Sequence, residues 1–184
     1  MKRMLIGLLL LLTAGCAPYS RVSGNATISE LGIEAALPDG WYRANRVTDA
    51  LLITKDGFPL QFIRIERVEH DKELQFTKRK FSPGMPPHDV AELEADNLRS
   101  ATGISNFELL DNRPVIIGGL QGFRLDFQWR TSDGLRVKRT HYGFMKDKWV
   151  YRIVYQAAAR HYFDRVAATC DVVSQYFVPD RFAV

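Results

Sequence analysis

The chain has 184 residues, a formal charge of +4 at pH 7 and a hydrophobic fraction of 46%. That length suits one domain with a substantial core, and that apolar content excludes wholesale disorder. Basic and acidic residues nearly balance, at 25 and 21, which excludes the concentrated basic character of a dedicated nucleic-acid binder.

The chain opens with Lys2 and Arg3, followed by an apolar run from Met4 to Leu12. The run is about half of the ~20 residues a membrane-spanning helix needs. A basic start, a short apolar middle and a small-residue exit give residues 1–15 the layout of a secretory signal peptide. The exit, Leu12-Thr13-Ala14-Gly15-Cys16, resembles the lipobox of bacterial lipoproteins, with Thr13 where leucine is commoner. The resemblance implies cleavage before Cys16 and lipid attachment at Cys16. Ala17 in the next position, rather than Asp, implies delivery to the outer membrane, facing the periplasm. A single acyl chain holds only marginally, and the lipoprotein modification supplies more than one, so a stable membrane anchor is expected. Residues 16–27 are small and polar and read as a tether. Asn25-Ala26-Thr27 matches a glycosylation sequon, which is set aside because a lipobox implies a bacterium.

The folded body is expected over residues 28–184. "ISELGIEAALPDGWYRAN" starts as a short strand and closes in a Pro38-Asp39-Gly40 turn. Ala50 to Thr54 and Leu60 to Val68 read as strands, separated by Asp56-Gly57. A long loop, Glu69 to Pro86, leads to a helix opened by Pro86-Pro87. Val90, Leu93, Asn97, Leu98 and Ala101 share one face of that helix, and Gly103 stops it. A faint strand follows near Glu108 to Ile117. "FRLDFQWRT" alternates Phe123, Leu125, Phe127 and Trp129 with Arg124, Asp126, Gln128 and Arg130, the pattern of a half-buried strand. Turns at Ser132-Asp133-Gly134 and at Lys146-Asp147-Lys148 fold the next two strands into an antiparallel meander. A last helix is expected over about Arg160 to Phe177, with Pro179 just beyond it. This order suits an α+β fold, an antiparallel sheet flanked by helices.

The element order, with "LPDGW" early, "GGLQGFRLDFQW" before the meander and "SQYFVP" at the close, resembles the PsbP-like fold over residues 28 to 178. That group includes extrinsic subunits of the photosynthetic oxygen-evolving complex, a nuclear-import factor that binds a small GTPase, and bacterial envelope proteins of the DcrB type. The resemblance implies a PsbP-like sandwich with a non-enzymatic binding or assembly role, and it carries no catalytic residue onto this chain.

The residues themselves point to no reaction. His70, His88, His141 and His161 stand apart, with no HExxH, CxxC or EF-hand spacing, so no metal or cofactor is expected. "GGLQG" is not followed by a helix and reads as a turn rather than a phosphate cradle. With Cys16 lipidated, Cys170 has no partner and reads as a small buried hydrophobe in the last helix. Two basic groups stand out. Lys78, Arg79 and Lys80 lie in the long loop, and Arg130, Arg136, Lys138 and Arg139 flank the Asp133-Gly134 hairpin. Either fits an acidic partner, a lipid headgroup or a lipopolysaccharide phosphate. The leading expectation is a lipid-anchored envelope protein that binds a protein partner or assembles a complex. The alternatives are a carrier of a small apolar ligand or lipid, and a hydrolase using a carboxylate or His141.

Overall fold

The computed structural model describes residues 17–179; residues 1–15, expected to be a signal peptide, the expected lipid-attachment residue Cys16 and the last five residues lie outside them. Nine strands and two helices follow the order β1 (Tyr19–Ile28), β2 (Ile33–Ala44), β3 (Ala50–Thr54), β4 (Gln61–Glu69), α1 (Pro87–Arg99), β5 (Ser105–Ile117), β6 (Leu120–Arg130), β7 (Arg136–Lys146), β8 (Trp149–Ala158), α2 (Phe163–Gln175) and β9 (Val178–Pro179). The strands form one sheet in the order β1-β2-β3-β4-β8-β7-β6-β5, with β9 added to β2. Every pairing is antiparallel. Neither helix is long and apolar enough to cross a membrane. The fold class is therefore the expected one.

The alternation of β6 decides the layering. Phe123, Leu125, Phe127 and Trp129 pack with Val137 and Val150 beneath Val90, Ala91, Leu93 and Ala95 of α1. On the other face, Tyr142, Phe144, Tyr151, Ile153 and Tyr155 meet Val166, Cys170 and Val173 of α2. The outer face of β6 is not simply solvated. Arg124 bonds Asp126 at 2.8 Å and reaches Asp171 of α2 at 3.1 Å, and the Tyr142 hydroxyl donates to the same Asp171 carboxylate.

Three local expectations are corrected. The segment read as a tether is a strand from Tyr19 on, paired along β2. Its start is pinned: Asn45 donates from its side chain to the Ala17 carbonyl at 2.9 Å and from its backbone to Pro18 at 3.0 Å. Small polar residues tolerate an edge strand when a partner ladder satisfies their backbone. Pro38-Asp39-Gly40 is no chain reversal either. Val22 faces Trp41 and Gly24 faces Leu37, so those three residues bulge opposite Ser23 within β2, with Gly40 at φ +76°. A straight ribbon would hold Glu30 and Arg43 roughly 30 Å apart at ~3.3 Å per residue. They pair at 3.4 Å, so the ribbon coils back and lays Ile28, Leu31, Ile33 and Ala35 into the α2-side core. Lastly, α2 spans Phe163–Gln175, shorter than expected, and the chain after it returns as β9.

The long loop is tied down. The Asn97 side-chain oxygen on α1 accepts from the backbone of Phe76 at 2.9 Å and Thr77 at 3.3 Å. Leu74 and Phe81 are buried beneath it. Asn97 sits on the inward stripe of α1 because it serves this loop.

Candidate functional site

Four cations line one cleft at the end of the β6–β7 hairpin. Arg130 closes β6 and Arg136 opens β7, and the two face each other directly across the ladder. Lys138 lies two residues on, hence on the same face of the sheet. Arg160, just past β8, completes the ring: the neighbouring Ala159 amide donates to the Arg136 carbonyl at 2.9 Å. Together with Gly134, Leu135 and Ala159 they enclose about 620 Å³.

The electrostatics are unbalanced here. Arg43, Arg64, Arg79, Arg99, Arg113, Arg124, Lys148 and Arg152 each hold a carboxylate within 4.0 Å. Among the described residues, none of the four cleft cations does. Arg130 instead donates to the Gly134 carbonyl at 3.1 Å, and the Lys138 ammonium lies 5.4 Å from the Phe163 ring centroid. The acid at the hairpin tip, Asp133, accepts from the Thr131 hydroxyl, and this bond and the turn's own amides hold its pKa below the ordinary value. Like charges directly opposite on a ladder destabilise it, so the Arg130–Arg136 pair is an arrangement that an anion would relieve.

The seven basic residues of the two sequence clusters do not converge. Arg139 points to the α1 face, opposite to Arg136 and Lys138. There it donates to Gln156 at 3.1 Å and lies over Trp129 and Phe127. Burial pushes its pKa down to about 10. Arg79 pairs with Asp96 at 3.4 Å, leaving Lys78 and Lys80 exposed on the loop. Arg160 was outside the expected set. It lies 24 residues beyond Arg136, and only β8 returning along β7 brings the two together.

The α1 face of the sheet holds a buried charged cluster. Glu94 of α1 is 3% exposed and accepts from Arg152 of β8 at 2.6 Å; Arg152 also reaches Glu66 of β4 at 3.4 Å, and Glu66 takes Arg64 at 2.6 Å. Burial pushes the Glu94 carboxyl up, and the Arg152 guanidinium opposes it. Nearby His141 is buried against Phe123 with both ring nitrogens unpartnered. Its pKa is held well below the ordinary value, first by burial and then by Arg152 and Arg139. His88 pairs with Glu92 at 3.1 Å and His161 contacts Arg165 at 3.2 Å. No three His, Cys, Asp or Glu among the described residues are grouped to hold a metal. Cys170 is fully buried, and burial pushes its thiol up.

At the opposite end of the meander lies an apolar groove of about 440 Å³, lined by Pro86, Pro87, Pro114, Val115 and Ile116 with His88. It flanks β5, a free edge of the sheet. That edge is blunted against further strand pairing by two register shifts, Pro114 and the Asp111–Arg113 pair. Along β6, the eight residues from Gly122 in the groove to Arg130 in the cleft separate the two by roughly 26 Å.

No protein-family model matches the sequence, and no curated protein matches it significantly. Solved structures do resemble the fold. Cyanobacterial PsbP from Synechocystis superposes with a TM-score of 0.57 at 15% identity, over 90% of this chain and 94% of that one. The Ran-binding protein Mog1p of Saccharomyces cerevisiae gives 0.59 at 12% identity, over 88% and 97%. LpqN of Mycobacterium tuberculosis, a protein involved in cell envelope biogenesis, gives 0.55 at 13% identity, over 88% and 91%. The domain therefore has the PsbP-like fold. Likeness at such identities establishes architecture alone.

Proposed function

We propose that the chain is a lipid-anchored protein of the cell envelope, attached through Cys16 at the outer membrane and facing the periplasm, with a non-enzymatic binding or assembly role. The observation that carries the binding role is the cleft of Arg130, Arg136, Lys138 and Arg160, four cations around about 620 Å³ without a carboxylate partner among the described residues. Such a surface attracts an anionic component of the envelope. The lipobox-like "LTAGC" supports the anchor, and the likeness to LpqN is in keeping with an envelope role. A second reading, the carrier of a small apolar ligand, draws on the proline-lined groove, whose volume exceeds the roughly 300 Å³ of small-molecule sites.

The anchor is tested by Cys16→Ala. Labelled palmitate is expected to enter the wild-type chain and not the variant, and the variant is expected to leave the membrane fraction on carbonate washing. Equal fractionation of both would remove the anchor from the reading. The binding role is tested with a photo-crosslinking residue at Ala159 in intact cells. One dominant envelope adduct is expected, lost on Arg136→Glu with Lys138→Glu. An adduct pattern unchanged by the double reversal would refute the cleft as the binding surface.

A further inference from the structure

We infer that the cleft and hairpin tip dock on the phosphate headgroups of an anionic bilayer, seating the domain directly on the membrane. This rests on reading the cleft as an anion site, and two further observations narrow the anion to a lipid surface.

The first is the hairpin tip. Leu135 stands 43% exposed between Arg136 and the Gly134 turn, with Arg130, Lys138 and Arg160 around it. Next to the single acid of the turn, Asp133, an exposed leucine ringed by four cations matches the headgroup boundary of a bilayer, where leucine enters the acyl margin and guanidinium groups meet phosphates.

The second is how Ala17 and Pro18 are held. Ala17 and Pro18 are held by Asn45, so little slack separates the domain from residue 16. A continuous run of contacts leads from there to the cleft. The Tyr19 ring meets Phe58 of the β3–β4 turn at a tilt, with ring centroids 5.9 Å apart. Leu60, at the end of that turn, accepts from the Ala158 amide at 2.9 Å. Ala159 and Arg160 follow, and Ala159 bonds Arg136. The start of the domain and the cleft thus share one margin of the molecule. A chain anchored at Cys16 without a tether brings that margin to the bilayer, and the apolar groove at the far end of β6 is then carried away from it.

The test uses the full chain with Cys16→Ser and Leu135→Cys, labelled with an environment-sensitive thiol dye. Cys170 is fully buried, so the dye reports on position 135. Vesicles of phosphatidylcholine with one third phosphatidylglycerol are expected to shift the emission to the blue, and pure phosphatidylcholine is not. Each cation near an anionic surface contributes about fivefold to partition. Arg136→Glu with Lys138→Glu is therefore expected to weaken the response at least tenfold, with no fall in melting temperature because Arg130 then faces a carboxylate, and added salt to weaken it progressively. A dye that keeps its aqueous emission while the protein floats with the vesicles would overturn the docking. If inorganic pyrophosphate or polyglutamate then still shifts the emission in a charge-reversal-sensitive way, the anion site stands and the bilayer does not. Silence toward vesicles, pyrophosphate and polyglutamate alike overturns both.

Discussion

Arg152→Met is expected to destabilise the domain by about 3–5 kcal/mol, the usual cost of removing one partner from a buried ion pair. For a chain of this size that is a fall in Tm of roughly 6–20 °C. The guanidinium of Arg152 is the main compensation for Glu94, which is 3% exposed and reached at 2.6 Å. Methionine fills much of the same volume, so the loss is electrostatic rather than a cavity. Glu66 suffers less, because it is partly exposed and keeps Arg64 at 2.6 Å. The pH dependence has a definite sign. Burial already raises the Glu94 carboxyl above its ordinary 4.5, and without Arg152 opposing it the value rises further. A carboxyl whose folded pKa is raised holds its proton more tightly in the folded state. Its contribution is fully present below the unfolded value and is lost as pH rises through the folded value. The deficit of Arg152→Met relative to the parent should therefore be small near pH 4 and grow toward pH 7. Chemical denaturation across that range measures it, and a deficit flat with pH would show that the pair is not what Arg152 supports. Adding Glu94→Leu removes the stranded charge, and at least half of the lost stability should return.

Gly118→Ala is expected to cost about 3 kcal/mol, against about 1 kcal/mol for Gly119→Ala. The two glycines form the turn between β5 and β6, at φ +54° and +83°. Positive φ at both central residues suits the twist of a tight hairpin, and alanine pays a conformational penalty at either. The difference lies in the surroundings. A Cβ at Gly119 meets nothing within 4 Å, whereas one at Gly118 would overlap the Phe177 carbonyl oxygen. That backbone leads directly into β9, which pairs Val178 and Pro179 with Glu34 and Ile33. Relieving the overlap pulls on Phe177, a fully buried ring 5.7 Å from Phe144 and 6.0 Å from Tyr151. Parallel urea melts of the two variants measure the contrast. Equal losses would mean that the close approach of turn and C-terminal segment carries no stability.

Much of the frame is legible along the chain because it is local. The β6–β7–β8 meander follows from period-two alternation and two turn signals. α1 follows from Pro86-Pro87 and its apolar stripe. The same local logic fails at Pro38-Asp39-Gly40, where a turn tripeptide sits inside a strand. Whether it reverses the chain or bulges depends on β1, and β1 has no apolar alternation to announce it: "YSRVSGNATI" is read as a strand only once its partner is known. The candidate site divides in the same way. Arg130, Arg136 and Lys138 are adjacent in the hairpin and so were visible as a basic group. Proximity in sequence groups Arg139 with them, although a strand sends consecutive side chains to opposite faces.

By itself, then, the sequence determined the α+β class, the meander, both helices and the positions of most cations, since each rests on the pattern of nearby residues. Only the tertiary structure decided which cations act together. The antiparallel register of β7 with β8 brings Arg160 beside Arg136, and the register of β4 with β8 sets Glu66 against Arg152 beneath Glu94. The physical reason is that unpaired charge is a property of a neighbourhood. Arg152 and Arg136 are the same residue type on neighbouring strands, and only the strands and helix packed around them give one two carboxylates and leave the other facing an open cleft.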